Sequence, residues 1–390
     1  MKLMRYSVLM MFFQTMLYAH YSEFLYPVGT VIFEQVEKVC VLHQKGLVLE
    51  LFLWDPVTKL AIKGLSHQTP AGFTVLPSRE AFSFIDHEQV RIKALSKKSS
   101  KSLDLYPLHD FNLLHWIDNE NFYCAAKEKK NYALFHIDSS GDFYTLLNDP
   151  FFDFTYPQKI GDQLFYLKKD VKKEIYAIEK TRYPAQKIKQ IQERFLAQDN
   201  KNIFEELEAQ NKICLIHASE TLLTFNDKDF SLSFLTMKSE EEGFFLRHKT
   251  YPFADRVAQT IEFECCHFVY KNHAWKSASL FTFSLPLTFL YGQERLAESI
   301  LRLVPQYQEK NIVYVHTDKL GNLDVYRYDL ETQQSSCFTN DAYPHYFFRP
   351  FFYQGNGLLG GMIVSDDPKK SPTINIDIHG NHYITFPLIQ

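Results

Sequence analysis

Short apolar, β-branched and aromatic runs alternate with polar turns along nearly the whole chain. The clearest unit spans Asn311–Phe352. It begins Ile312-Val313-Tyr314-Val315-His316-Thr317 and crosses a Gly321-Asn322 connection. It continues through Asp324-Val325-Tyr326-Arg327-Tyr328-Asp329-Leu330, then closes on Ser336-Cys337-Phe338-Thr339-Asn340. Two β-rich runs joined by a Gly-Asn connection predict a hairpin, and the third run adds a strand. A unit this small cannot cover both of its faces, so it needs similar neighbours.

Those neighbours are visible upstream. Phe122–Ala126, Tyr132–Asp138 and Phe143–Asp149 repeat the arrangement, as do Gln163–Leu167 and Glu174–Ile178. Fainter copies start near Lys38, Ala81, Lys212, Cys266 and Leu358. The first strand of each predicted hairpin falls near residues 38, 81, 122, 163, 212, 266, 312 and 358. A spacing of about 40–50 residues built from short strands predicts propeller blades rather than a helical solenoid. The expected fold is therefore all-β, a β-propeller of about seven or eight four-stranded blades over residues 30–390 as one domain. A sandwich or barrel is the structural rival, but this length would need two of them. Two segments break the strand pattern with apolar residues at helical spacing: Gln190–Gln210, and Gln293–Val304 stopped by Pro305. Both are expected to be helical insertions between blades.

The unit Gly321-Asn322-Leu323-Asp324-Val325-Tyr326, followed by Phe338-Thr339-Asn340, resembles the WD40-like repeat of the TolB family. Leu146-Leu147-Asn148-Asp149 is a second, partial match. The family's Ser-Pro-Asp-Gly turn is replaced here by Tyr156-Pro157-Gln158-Lys159-Ile160-Gly161-Asp162 and by Arg349-Pro350-Phe351-Phe352. The resemblance implies a propeller and, by analogy, a place in the bacterial cell envelope.

Composition supports wedged aromatic sheets: 35 Phe and 23 Tyr against 14 Gly. With 42 basic and 46 acidic side chains, net charge −4, there is no basic footprint for nucleic acid. Lys2 and Arg5 precede an apolar core ending at Ala19, a pattern expected of a signal peptide over residues 1–19 with export to the periplasm or beyond. That run is too short to span a membrane. Four cysteines (Cys40, Cys124, Cys214, Cys266) fall in or beside separate marker strands and read as small buried fillers rather than disulfide partners. Trp54-Asp55 and His115-Trp116 read as inter-blade packing.

No nucleophile elbow, zinc-binding His-Glu-x-x-His or phosphate loop occurs. Asp318, Asp366-Asp367 and His379-Gly380-Asn381-His382 read as turns, so no metal and no cofactor is expected. The aromatic belt around Tyr343, His345, Tyr346, Arg349 and Phe352 is the candidate partner surface, because exposed rings beside an arginine suit protein contacts. The function expected is an exported, monomeric binding or scaffold propeller with a protein or peptide partner. The alternatives are a propeller hydrolase with a channel-mouth site and a cytoplasmic structural propeller.

Overall fold

Alternating side chains inside each long strand explain how the sheets stack. In β10 (Asn121–Lys127), Phe122, Cys124 and Ala126 face one apolar core while Tyr123 and Ala125 face another. In β14 (Gln163–Asp170), Leu164 and Tyr166 share the second core, and Phe165 and Leu167 enter a third. A strand covered on both faces must be apolar at every position, which is why these runs lack polar alternation.

The computed structural model describes residues 23–45, 48–55, 58, 61–68, 71–86, 89–97, 100–111, 114–196, 213–226, 229–249, 260–286, 306–308, 310–317, 323–337, 345–353 and 356–363. The chain divides into two compact units, residues 1–70 with 340–390, and residues 71–339. In the first, β1 (Glu23–Phe33), β2 (Val36–Lys45), β3 (Val48–Trp54) and β4 (Ala61–Gln68) form an antiparallel meander. A two-stranded ladder, β25 (His345–Tyr353) with β26 (Asn356–Ile363), lies against β1.

The second unit holds five four-stranded sheets in sequence order. They are β5 (Ala71–Val75) to β8 (Lys101–Leu103), and β9 (His115–Trp116) through β10 and β11 (Tyr132–Asp138) to β12 (Phe143–Leu147). Next come β13 (Phe152–Ile160), β14, β15 (Ile175–Arg182) and β16 (Glu220–Phe225). They are followed by β17 (Phe230–Ser239), β18 (Glu242–Lys249), β19 (Thr260–Lys271) and β20 (Ala274–Pro286). The last runs from β21 (Gln306–Gln308) through β22 (Asn311–Thr317) and β23 (Leu323–Asp329) to β24 (Gln334–Cys337). Successive sheets share cores, and the fifth and sixth of the chain meet through Phe281 and Phe283 against Tyr314, with ring centroids 4.4 and 5.5 Å apart. Consecutive meanders stacked face on face make this an all-β propeller.

Among the described residues there are six four-stranded blades, not seven or eight. The excess has a local cause. Six of the eight expected starts land on the second strand of a sheet: β2, β6 (Ala81–Asp86), β10, β14, β22 and β26. The start near 212 is no strand; Ile213–Ile216 is an irregular segment. The start near 266 falls in β19, the third strand of a sheet whose second strand is β18. One expected hairpin is therefore no strand at all, and another starts on a later strand of its sheet than the pattern implied.

The insertion expected between blades near 190–210 is a helix, α1 (Ala185–Leu196), that starts five residues earlier and lies within one blade, between β15 and β16, rather than between two; 197–212 and the second insertion at 293–304 lie outside the described residues, as do residues 1–19. All six cysteines are free. Cys40, Cys124, Cys265 and Cys266 are buried, whereas Cys214 is only half-buried beside Asn148, because its segment is not a strand. Burial drives the Cys40 thiol up to about 12, as expected of an inert filler.

Candidate functional site

The β15–β16 connection builds the most distinctive local structure. β15 ends at Arg182, Tyr183 turns inward, and Pro184 opens α1, whose fixed φ suits a first helical turn. Ile188, Ile191 and Gln192, spaced three and four apart, face the sheets, with Ile188 buried and Ile191 packed on the same core. Burying an isoleucine of this kind contributes about 1.5–3 kcal/mol. Gln186, Lys187, Lys189, Gln190, Glu193 and Arg194 are left exposed, and Arg194 in the last turn complements the helix dipole.

Beneath α1 a chain of hydrogen bonds runs from the surface into the core. Asp118 Oδ1 accepts from the backbone N–H groups of Glu120 and Asn121, each at 2.7 Å, and from Asn121 Nδ2 at 3.1 Å. That orients Asn121 so that its Oδ1 accepts from His136 Nε2 at 3.2 Å and from Gln192 Nε2 of α1 at 3.4 Å. The imidazole is thereby set as the Nε2–H tautomer, and Nδ1 accepts from the Tyr183 hydroxyl at 2.5 Å. Burial pushes His136 down to about 4 against the opposing charges of Asp138 and Asp118, so the ring is neutral at physiological pH. Burial likewise drives the Tyr183 hydroxyl well above its ordinary value.

A second cluster anchors the other end of the connection. The buried Glu179 carboxylate accepts from Tyr166 Oη at 2.9 Å, Lys168 Nζ at 3.0 Å, Ser219 Oγ at 2.8 Å and Thr221 Oγ1 at 3.2 Å. Burial pushes this carboxyl up, but the hydrogen bonds from Ser219, Lys168 and Tyr166 and the lysine charge outweigh it, leaving the net pKa lowered. Thr181 Oγ1 donates to the Ala218 carbonyl at 2.8 Å. The returning chain also lies along β12: Leu215 N–H donates to Thr145 O at 3.0 Å and Ile216 N–H to Leu146 O at 3.1 Å.

Chemically, both clusters hold structure. Four donors occupy the Glu179 carboxylate, and His136 is saturated at both ring nitrogens within a closed core. What they deliver to solvent is a firmly mounted helix. Among the described residues no group of three or more His, Cys, Asp or Glu side chains is set to hold a metal ion. No helix among them is long and apolar enough to cross a membrane.

The residues singled out in the aromatic belt are placed as follows. His345, Tyr346, Arg349 and Phe352 lie on β25, opposite Ile363, Met362, Gly360 and Gly357 of β26, with an irregular register between Tyr346 and Arg349. Tyr343 lies outside the described residues. Trp54 is fully buried at the end of β3, and Trp116 donates Nε1–H to Ser83 Oγ at 2.8 Å across two sheets. Sequence reasoning passed over His136 because it sits inside an apolar strand, and over Glu179 because it opens the polar end of β15, Glu179-Lys180-Thr181-Arg182, which reads as a solvated strand end. The one sequence signal was His136, an ionisable residue interrupting an otherwise apolar run.

No family model and no curated protein matches this sequence. Solved structures do. An oligogalacturonate lyase from Vibrio parahaemolyticus is 7% identical with a TM-score of 0.53, over 90% of this chain and 90% of that one. A puromycin-hydrolysing peptidase of Mycobacterium tuberculosis is 11% identical with a TM-score of 0.52, over 92% of this chain and 52% of the peptidase. A TolB protein of Agrobacterium tumefaciens is 10% identical with a TM-score of 0.37, over 86% of this chain and 87% of that one. The chain thus spans about half the length of the peptidase. At these identities the likeness is one of fold, and the fold is the one the TolB-like repeat implied.

Proposed function

We propose that this protein is an exported β-propeller that works as a binding or scaffold module in the cell envelope. The observation that supports it is α1: hydrogen bonds on both flanks of the connection mount the helix, and its outer face is polar and open. A rigidly held, solvent-facing insertion lowers the ordering cost of binding a protein partner. Tyr343, His345, Tyr346, Arg349 and Phe352 supply a second surface on the same reading, and the apolar segment ending near Ala19 directs export.

Two measurements test this. A photo-crosslinking residue at Gln186 or Gln190 in the native cell is expected to trap one discrete partner that a probe at buried Ile188 does not. Mass spectrometry of fractionated cells is expected to find a new N-terminus near His20 in the exported fraction. An intact Met1 in the cytosol, with no discrete crosslink, overturns the proposal.

The second reading is an enzyme, supported by the fold-level likeness to the lyase and the peptidase. Turnover of oligogalacturonate or of a peptide substrate by the purified full chain would establish it in place of the scaffold.

A further inference from the structure

At the end of the β9–β12 and β13–β16 sheets opposite α1, three connections fuse into one surface. Asn131 Nδ2 donates to Pro150 O at 2.8 Å, Tyr132 N–H donates to Asp153 Oδ1 at 2.8 Å, and Val171 N–H donates to Phe151 O at 3.0 Å. Segments 127–132, 148–153 and 168–174 are therefore contiguous. Phe151 and Val171 stand 53% and 43% exposed there.

Charge on this surface is sorted by direction. Its carboxylates are mostly turned inward onto the chain: Asp149 Oδ1 accepts from Phe151 N–H at 2.9 Å, and Asp170 Oδ1 accepts from Lys172 and Lys173 N–H at 3.0 and 2.9 Å. Asp153 holds Tyr132, and Glu128 accepts from Asn148 Nδ2 at 3.3 Å. Lys129, Lys130, Lys172 and Lys173 are exposed, and Glu174 is the one exposed acid among these segments. The Lys172 ammonium lies 5.1 Å from the Phe151 ring centre, so charge and apolar surface are presented side by side. This local cationic excess around one exposed ring stands in a chain of net charge −4.

We infer that this surface binds an acidic peptide segment of a partner protein, its carboxylates meeting Lys129, Lys130 and Lys172 and an apolar side chain resting on Phe151 and Val171. The inference deepens the binding-module reading at a surface separate from α1, so failure of the α1 crosslink leaves it standing and its own failure leaves α1 untouched.

The test uses the full chain and a fluorescein-labelled peptide of glutamates flanking leucine, read by anisotropy at low and physiological salt. A glutamine version of the peptide, phosphatidylserine vesicles and oligogalacturonate serve as competing probes. Saturable binding of the glutamate peptide, weakened about tenfold by Lys130→Glu with Lys172→Glu and comparably by Phe151→Ala, supports the proposal. Unchanged melting of the variants shows that the loss is not one of folding. Equal binding of the glutamine peptide, indifference to both variants, or binding of the vesicles or the oligosaccharide without the peptide overturns it.

Discussion

The two faces of the β9–β12 sheet are built from the same strands and by different chemistry. Toward β5–β8, Phe122, Cys124, Phe135 and Ile137 meet Ile85, Val90, Leu103 and Leu105, and the Trp116–Ser83 hydrogen bond is a polar contact at the margin of an otherwise greasy core. Toward β13–β16, one residue further along each strand, Tyr123, His136 and Tyr144 share the interface with Tyr166 and Tyr183, and Glu179 lies on the same side of its own sheet. An apolar seam stabilises whichever close packing excludes water. A seam with directional hydrogen bonds fixes one arrangement, and here it fixes where the connection between β15 and β16 must leave and return.

The sharpest way to break the comparison is to damage each seam once. Phe135→Ala in the apolar seam is expected to cost about 3–5 kcal/mol in chemical denaturation through a cavity, and Glu179→Ala in the polar one about 1–3 kcal/mol by leaving the buried Tyr166 hydroxyl and the half-buried Lys168 without their acceptor. Hydrogen exchange separates them. Glu179→Ala is expected to lose protection at Ser219–Thr221 and Leu215–Ile216 beyond the global loss, while Phe135→Ala lowers protection evenly.

A smaller effect comes from pH. His136 has a folded-state pKa near 4, below its unfolded value near 6.5, so the unfolded chain takes up the proton first. Stability is therefore full above about pH 6.5 and falls as pH drops toward 4, by up to ~3 kcal/mol for one such group. His248, lowered to about 4 by burial in the β17–β20 sheet, contributes in the same window. His136→Asn is expected to remove about half of that pH slope in melting experiments, where a fully structural histidine insensitive to protonation would leave it intact. Smallest of all, Ser83→Ala is expected to cost about 1 kcal/mol, since it removes one hydrogen bond from the apolar seam. A larger loss would mean that seam depends on polar contacts more than its composition suggests.

Much of the blade architecture was legible because hairpins announce themselves locally. Gly161-Asp162 marks the β13–β14 turn, with Gly161 in the left-handed region at φ +56° where a side chain would also collide with Glu240. Strand rank within a blade was not legible. Gly243-Phe244-Phe245-Leu246 in β18 and Glu264–Phe268 in β19 are both apolar runs, and nothing local says which of them is second and which third. Ile213-Cys214-Leu215-Ile216 reads as a strand because it is apolar, yet its partners lie across a long connection on β12. The candidate site was hidden for the same reason: His136, Asn121, Tyr183 and Gln192 meet only after two sheets and a helix are assembled. The lysine-rich surface escaped because charge counts treat inward-turned and outward-turned side chains alike.

The returning chain beside β12 carries one more consequence. A strand at the rim of a sheet is a template on which another molecule's backbone can grow, and β12 is such a rim. Leu215 and Ile216 already occupy two of its carbonyls, those of Thr145 and Leu146. The same few residues that tether the connection thus act as a chaperone in cis, denying this sheet a foothold for polymerisation.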